Sequence, residues 1–374
     1  MKKQLAPWCF AVLLSCQISA LQAVSNLDDR LSTPSRKAAN PSSELLIDVQ
    51  RNGQRLVAVG ARGIIILSDD GGASWRQAAV PVSVTLVALH FPDDKYGWAV
   101  GHGGVVLGTK DGGESWAVQF DGTRANALVV AQAKDRLAAL QSAFDSADAG
   151  DIDSLRYQLE EARFALEDAQ IDAGLGPSKP LLDVWFKNRQ QGFVVGAYGY
   201  FFATNDGGET WKNYGARLDN FDRFHLNAID SISGGILMIV GEGGQIFVSH
   251  NSGEDWESIV SPYYGSFFGL QGTGRTGEVL VFGLRGHVFR SMNAGQSWEE
   301  LTMPSELTLN GATNLGQGKL ALVGQSGSVL LSRDYGQSFT RWQTSHLDGF
   351  SGVVGLDGQR LLLVGEQGIR VAKN

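Results

Sequence analysis

The chain has 374 residues, a formal net charge of −8 at pH 7 and two cysteines. The acidic balance argues against a general nucleic-acid-binding protein, whose surface is usually basic. Length alone suggests two or three domains, an expectation that the internal repeat described below overrides.

The N-terminus predicts a secretory signal peptide over residues 1–23. A charged start precedes an apolar stretch over residues 5–14 and small residues at Ala20 and Ala23, and this stretch is too short to anchor the chain in a membrane. Both cysteines lie inside it, so cleavage would exclude disulfides, thiolate catalysis and Cys-ligated metals. Acylation of Cys16, as in a lipoprotein, is the less favoured alternative. We expect an exported, periplasmic or lumenal protein that is soluble or peripheral to the membrane.

A Gly-x-x-Gly sequence closes a hydrophobic run seven times along the chain. The first glycines follow one another at about 41–45 residues, apart from one interval of about 95 that carries an insertion, and this period with short strands is typical of a β-propeller. We therefore predict an all-β, seven-bladed propeller over residues 33–374. The seven copies are Gly60–Gly63, Gly101–Gly104, Gly196–Gly199, Gly241–Gly244, Gly283–Gly286, Gly324–Gly327 and Gly365–Gly368.

A second motif, S/T-x-D/N-x-G-x-S/T-W, follows the first six copies. This is the Asp-box, or BNR repeat, and its residue types suit a turn between two strands. We expect the Asp or Asn to accept backbone N–H groups two residues on, and the aromatic residue to fill the wedge between blades. Turn chemistry explains these residues better than metal binding does. They are Asp70 and Trp75, Asp111 and Trp116, Asp206 and Trp211, Asn251 and Trp256, Asn293 and Trp298, and Asp334 and Phe339.

The second blade shows the predicted strand pattern clearly, with four short β-branched and aromatic runs bounded by Gly, Asp and Pro. Following the order of the chain, we name the strands of a blade a to d. In blade two they are predicted at Val84–Phe91, Tyr96–Val100, Val105–Thr109 and Ser115–Gln119.

The insertion at residues 121–178 has helical periodicity instead. Apolar residues recur at spacings of three and four on both sides of a break near Gly150, which predicts an antiparallel α-helical hairpin with facing apolar seams. Between residues 151 and 172 seven acids oppose two arginines, so the second helix is expected to be acidic and solvated. Either the hairpin is a tolerated surface insertion, or, as we favour, it forms a wall beside a binding face.

The last repeat provides only three strands before the chain ends, at 352–356, 360–364 and 369–372. Residues 36–43 align with residues 76–83, which form the outer strand and following loop of blade one. We therefore expect an N-terminal strand to complete blade seven and close the ring.

One face of the propeller is the candidate binding surface. Strand alternation places the b–c and d–a connections, and with them the hairpin, on one face and the Asp-boxes on the other. The loops of that face carry Tyr, Phe and Arg, which partner-binding surfaces favour. The candidate residues are Arg62, His102, Tyr198, Arg223, Tyr263, Tyr264 and Arg285, accompanied by Phe221, His225, Glu242, Gln325, His346 and Glu366.

No catalytic, metal or cofactor site is predicted. The histidines show no paired metal-ligand spacing, and there is no nucleophile elbow or phosphate-binding loop. Asp-boxes also occur in sialidases, which makes a carbohydrate-binding or glycoside-hydrolysing propeller, with Arg223 or Arg285 at its site, the alternative. The first-blade Phe-Arg-Ile-Pro segment of sialidases is absent here.

The combined repeat resembles the photosystem II stability/assembly factor family. The resemblance rests on Gly97–Gly101 followed by Gly104–Trp116, and on the closely similar Gly192–Gly196 and Asp206–Trp211, and it covers essentially the whole mature chain. It implies a non-enzymatic assembly chaperone that binds newly made reaction-centre subunits. Similar proteins in bacteria without photosystems have been inferred to act beside envelope transport systems. The client is therefore expected to be a membrane protein or envelope complex, and the hairpin is a departure from the photosynthetic members.

Overall fold

The computed structural model describes residues 29–148, 150–232, 235–343, 347–357 and 360–373. They form seven antiparallel sheets in succession, six with four strands and one with three, and within each sheet the strands lie in chain order. The predicted seven-bladed propeller is confirmed. The predicted signal peptide and both cysteines lie outside the described residues.

The four-stranded blades are built from strands β1 to β24. They are β1–β4 (Leu46–Asn52, Arg55–Gly60, Ile65–Ser68, Arg76–Gln77), β5–β8 (Leu86–His90, Gly97–Gly101, Val106–Thr109, Ala117–Phe120), β9–β12 (Leu181–Phe186, Gly192–Gly196, Phe201–Thr204, Lys212–Asn213), β13–β16 (Leu226–Ile232, Ile236–Gly241, Ile246–Ser249, Glu257–Ser258), β17–β20 (Phe267–Gly272, Val279–Gly283, Val288–Ser291, Glu299–Glu300) and β21–β24 (Leu309–Gly316, Lys319–Gly324, Val329–Ser332, Thr340–Arg341). Blade seven contains β25–β27 (Phe350–Asp357, Arg360–Gly365, Gly368–Lys373).

The core lies between adjacent blades. Strands b and c are short apolar runs, and in β6 and β18 every residue is buried. Their side chains meet those of the next blade: Trp98 of blade two stacks on Phe186 of blade three with ring centroids 3.5 Å apart. Aromatic rings stacked in this way bury large apolar areas, which stabilises the packing of one blade against the next.

The ring closes without the predicted N-terminal strand. Strand β25 contacts β1 as the other first strands contact their neighbours. In the described part of the chain, however, residues 36–43 form no backbone hydrogen-bond pairing with β27. Gln77 of blade one holds them instead, accepting the N–H of Ala38 (2.9 Å) and donating to the carbonyl of Arg36 (3.0 Å). The predicted pairing was wrong because this side chain takes the hydrogen-bonding groups that a strand would have used.

The insertion is the predicted helical hairpin, with helices α1 (Gly122–Asp145) and α2 (Ile152–Gly174). Helix α1 begins one residue after the outer strand of blade two, where the Asp121 carboxylate accepts the N–H of Arg124 (3.0 Å) as an N-cap. Leu159 and Ala162 are buried in the seam between the helices. No helix in the described part of the chain is long and apolar enough to cross a membrane.

Candidate partner-binding face

The b–c turns and the connections between blades share one face. The backbone of Gly244 lies against the carbonyl of Tyr263, and Gly327 N–H donates to the carbonyl of Asp348 (2.8 Å). Helix α1 contacts the turn His102–Gly104, so the hairpin rises from the same side, which we call the hairpin face. The Asp-box turns form hydrogen bonds with the a–b turns instead; in blade two, Gly112 N–H donates to the carbonyl of Lys95 (2.8 Å). These two sets of turns form the opposite face.

Exposed apolar side chains are concentrated on the hairpin face. Among the described residues, Phe221 is 87% exposed and Tyr264 95% exposed. All but three of the large exposed apolar residues belong to this face or to the hairpin, and concentration of this kind is typical of an interaction surface. They are Leu45, Tyr157, Phe164, Ile171, Leu175, Tyr198, Phe221, Val260, Tyr264, Leu284 and Leu347; the exceptions are Val118, Met292 and Val371.

Four of the candidate residues have a positive φ: Arg223, at 54° in the connection between blades three and four, and three residues of the Gly-x-x-Gly turns. Arg62, Tyr198 and Arg285 stand at the third position of their Gly-x-x-Gly turns with φ of 57°, 56° and 57°. Positive φ in a residue other than glycine is uncommon and costs free energy, and such residues gather at functional sites. The turns thereby present these side chains at the surface, where Arg62 forms an ion pair with Glu44.

Tyr198 belongs to a polar cluster at blades three and four. Its ring lies 4.8 Å from the ring of His225, and His225 Nδ1 is 2.7 Å from Glu242 Oε2. The backbone N–H of His225 donates to the same carboxylate, and these contacts lower the pKa of Glu242. Three sequence-predicted residues are therefore brought together here.

The hairpin meets this cluster through ion pairs. Lys179 Nζ pairs with Asp172 of α2 and lies 5.3 Å from the centroid of the Tyr198 ring. Arg223 Nη1 lies 3.9 Å from Asp168 Oδ2, also on α2. Aromatic, cationic and acidic groups from the blades and the hairpin thus form one corner of the face.

The base of the hairpin is anchored by buried polar groups. The hydroxyl of Tyr200 donates to Asn126, whose amide donates in turn to the carbonyl of Gly176 (3.1 Å). Burial raises the pKa of Tyr200, which keeps that hydroxyl protonated. Gln132 and Asn213 exchange a further pair of bonds, at 2.7 and 3.3 Å. This anchor has no local sequence pattern, because its members are distant in the chain.

The remaining candidates are not part of this corner. Tyr263 packs against His287 and Phe289, with ring centroids 4.5 and 5.7 Å apart, and so contributes to the core of blades four and five. His102 is exposed on the turn of blade two, and Arg285 on that of blade five. His346 lies outside the described residues. Arg223 and Arg285, considered for a glycan site, project from different blades.

The Asp-box residues line the opposite face. In blade one Ser74 N–H donates to Asp70 (2.9 Å), while Gly72 N–H donates to the hydroxyl of Ser68 (2.8 Å). The prediction that the Asp or Asn accepts the N–H two residues on is therefore wrong. The hydroxyl of the Ser or Thr accepts the N–H of the glycine, and the Asp or Asn side chain accepts the N–H of the residue four positions on. All six motifs share this arrangement. Each aromatic residue packs between its own blade and the preceding one.

A central channel of about 1270 Å³ is lined by the first strand of every blade. It contains Asp48, Asp183 and Asp230, whose carboxylates accept backbone N–H groups. Burial raises the pKa of Asp48 and of Asp230 to about 6, and that of Asp183 well above the usual range. A recurring signal was present, since Asp48 and Asp183 each stand second-last in Leu-x-Asp-Val. Among the described residues, no cluster of His, Cys, Asp and Glu is suited to a metal ion.

Comparison with known proteins identifies the relatives of the chain. The family model described as photosynthesis system II assembly factor YCF48 matches residues 68–129 and 169–311, which is more than half of the chain. The unmatched residues between these segments belong to the hairpin. The resemblance read from the sequence is therefore confirmed at the level of the family. No curated protein sequence gave a significant match.

Solved structures agree on the fold. "YCF48 bound to D1 peptide" has a TM-score of 0.60 and 16% identity, covering 91% of this chain and 99% of the other. "YCF48 from Cyanidioschyzon merolae" has a TM-score of 0.60 and 13% identity, covering 91% and 98%. The WD40 β-propeller domain of Doa1 has a TM-score of 0.59 and 9% identity, covering 91% and 96%. At these identities the likeness shows the fold alone.

Proposed function

The chain belongs to the photosynthesis system II assembly factor YCF48 family, and we propose that it is an exported, non-enzymatic assembly factor that binds a membrane-protein client through its hairpin face. The observation that carries this proposal is the concentration of exposed apolar side chains on that face and on the hairpin. Phe221 and Tyr264 are single large anchors on a rigid scaffold, the arrangement that binding hot spots favour.

The structure of one relative contains a D1 peptide. We extend this to the present chain as a client in the form of a peptide segment of a membrane protein. The corner of Tyr198 and Arg223 supports this choice, because it offers an exposed ring and a partly exposed cation close in the chain to the apolar anchor Phe221. Such a surface suits a segment with both apolar side chains and a carboxylate or other acceptor.

Site-specific photo-crosslinking tests the proposal. A photoreactive phenylalanine analogue replaces Phe221 on the hairpin face, and in a control variant it replaces Met292, which is 62% exposed on the opposite face. From the organism's own membranes, we expect integral membrane proteins to crosslink at position 221 and not at position 292. Equal capture from both faces, or capture of soluble proteins only, would show that the proposal is wrong.

Competition then identifies the class of client. A synthetic D1 peptide should reduce crosslinking at position 221 if the client is that of the relative. Persistent crosslinking to a transport protein would place the chain beside an envelope complex instead, and saturable binding to a glycan array lost on Arg223→Ala would favour the sialidase-like alternative.

Export is tested on the mature protein. We expect its mass to correspond to cleavage after Ala20 or Ala23 and the protein to appear in the periplasmic or lumenal fraction. A diacylglycerol-bearing N-terminus at Cys16 would instead identify a lipoprotein.

A further inference from the structure

Helix α2 carries an apolar stripe on its outer side. Tyr157, Phe164 and Ile171 recur every seven residues, and Leu175 extends the row; they are 66%, 63%, 58% and 60% exposed. At about 100° per residue these four side chains lie within roughly 20° of one line along the helix. The buried seam residues, such as Leu159, lie on the opposite side and contact α1, so the stripe is not part of the hairpin core.

Carboxylates border the stripe on both sides. On the same helical projection, Glu160 and Glu167 lie along one edge, and Glu161 and Asp168 along the other. All four are exposed, and one of them, Asp168, lies 3.9 Å from Arg223 of the hairpin face. The two arginines of the helix lie further round, and one of them, Arg156, is already paired with Asp153 (2.9 Å). The stripe is therefore an apolar surface between two negatively charged edges.

We propose that this stripe binds a basic amphipathic helix of the client, whose apolar side chains lie on the stripe and whose lysines and arginines contact the bordering carboxylates. The inference rests on the proposed function, of which it specifies the chemistry of the partner. The stripe extends from Tyr157 to Leu175, 18 residue steps or about 27 Å along the helix, so the partner helix should have about five turns. Basic residues beside apolar ones are common where membrane-protein helices meet the aqueous phase.

The negative charge beside the stripe favours a basic helix over two other partners, a second copy of the chain and an anionic lipid surface. A second copy of the chain, stripe to stripe, would oppose acidic edges to acidic edges, which is unfavourable. An anionic lipid surface would repel the same carboxylates. A basic helix gains both apolar burial and charge pairing.

The experiment uses an 18-residue amphipathic peptide of leucine and lysine as the probe, with a leucine–glutamate peptide of the same pattern as its control. We expect the full chain to bind the basic peptide, more weakly at high salt, and not the acidic one. Phe164→Gln with Ile171→Gln, and separately Glu160→Lys with Glu167→Lys, should each lower the affinity at least ten-fold. Met292→Gln, on the opposite face, should leave it unchanged. Because all substituted side chains are exposed, the thermal midpoint should not move.

Three results would overturn the inference: unchanged peptide affinity in both double variants, a wild-type dimer that Phe164→Gln with Ile171→Gln converts to a monomer, or binding to anionic phosphatidylglycerol vesicles that this variant abolishes. The same two measurements separate the stripe from the client role. If client crosslinking at position 221 persists while the peptide does not bind, the stripe proposal fails alone. If the peptide binds but no membrane protein crosslinks, the client role fails and the stripe remains a binding site for basic helices.

Discussion

The hydroxyl of Ser351 donates a hydrogen bond to the carbonyl of Leu46, 3.1 Å away, across the seam between the last and first blades. Asn310 makes the corresponding bond to the next blade at Phe350 (3.0 Å), and Asn227 does so at Phe267 (2.8 Å). The closing seam is thus built from the same contact as two interior seams. The N-terminal segment adds to it through the 3₁₀ turn Pro41–Ser43, which contacts β27, and through Ala38, which packs against the apolar core of the first and last blades.

Gly368 tests the contribution of that turn. A Cβ there would lie 2.1 Å from the carbonyl oxygen of Ser42, whereas one on Gly71, whose φ is nearly the same (71° against 73°), would meet nothing within 4 Å. Both alanine variants incur the conformational cost of about 1 kcal/mol, but only Gly368→Ala also displaces backbone. We expect Gly368→Ala to lower the free energy of unfolding by at least about 2 kcal/mol more than Gly71→Ala, measured by urea denaturation. Equal losses would mean that the N-terminal turn does not support the seam.

The propeller was predictable because its turns leave a strict signature. The first glycine of each Gly-x-x-Gly is needed where the backbone passes close to a carbonyl, as Gly101 does at Thr85, and this requirement recurs in every blade. The N-terminal alignment detected a real equivalence, since Ser42 lies on Gly368 as Val82 lies on Gly63. It could not reveal whether the preceding residues pair as a strand, because a side chain elsewhere decides that.

The candidate site was predictable only in outline. Strand alternation assigns loops to a face, and the exposed Phe221 and Tyr264 were recognised on that basis. The contact of Tyr198 with His225 and the anchoring of the hairpin by Tyr200 depend on tertiary packing between distant segments. Neither has a local sequence pattern from which it can be read.

Tyr200→Phe should weaken the attachment of the hairpin. The substitution removes the donor to Asn126, which is 7% exposed, and leaves its carbonyl oxygen without that bond. A buried polar group left unsatisfied costs about 1–3 kcal/mol. We expect a loss of this size in urea denaturation, and none for Tyr157→Phe, whose side chain is 66% exposed. In a double-mutant cycle with Asn126→Ala the two losses should not add; additive losses would show that the bond contributes nothing.

Asp230→Asn should stabilise the protein above about pH 6. Burial raises the pKa of Asp230 from the usual 3.8 to about 6. As pH rises between these values the unfolded chain ionises first, so the wild type loses stability, and above about 6 it retains a desolvated carboxylate. The Asn variant stays neutral, and its carbonyl oxygen can still accept the N–H of Ser231.

The measurement is the thermal midpoint of both proteins from pH 3.5 to 8. The thermal midpoint of the variant should rise relative to that of the wild type as pH increases from 3.8 to about 6. At pH 3.5 the two midpoints should be the same. Asp70→Asn is the control of opposite sign, since hydrogen bonds from Ser74 lower the pKa of Asp70 to about 2. Its destabilisation, followed from pH 2 to 8, should be full at pH 7 and shrink as pH falls from 3.8 towards 2. A difference for Asp230→Asn that does not vary with pH would contradict the role of burial.

Trp116→Phe should be more costly than Trp298→Phe. Trp116 Nε1–H donates to the carbonyl of Gly113 (2.9 Å), a bond that four of the six Asp-box turns make. Trp298 Nε1 is buried and, within the described structure, has no hydrogen-bond partner, while blade six has Phe339 at the same position. Both substitutions remove similar apolar area, but only the first breaks a buried hydrogen bond, so its free energy of unfolding should fall by about 1 kcal/mol more. Equal losses in urea denaturation would mean that the indole nitrogen is not what retains tryptophan in these turns, and that its packing area between the blades is sufficient.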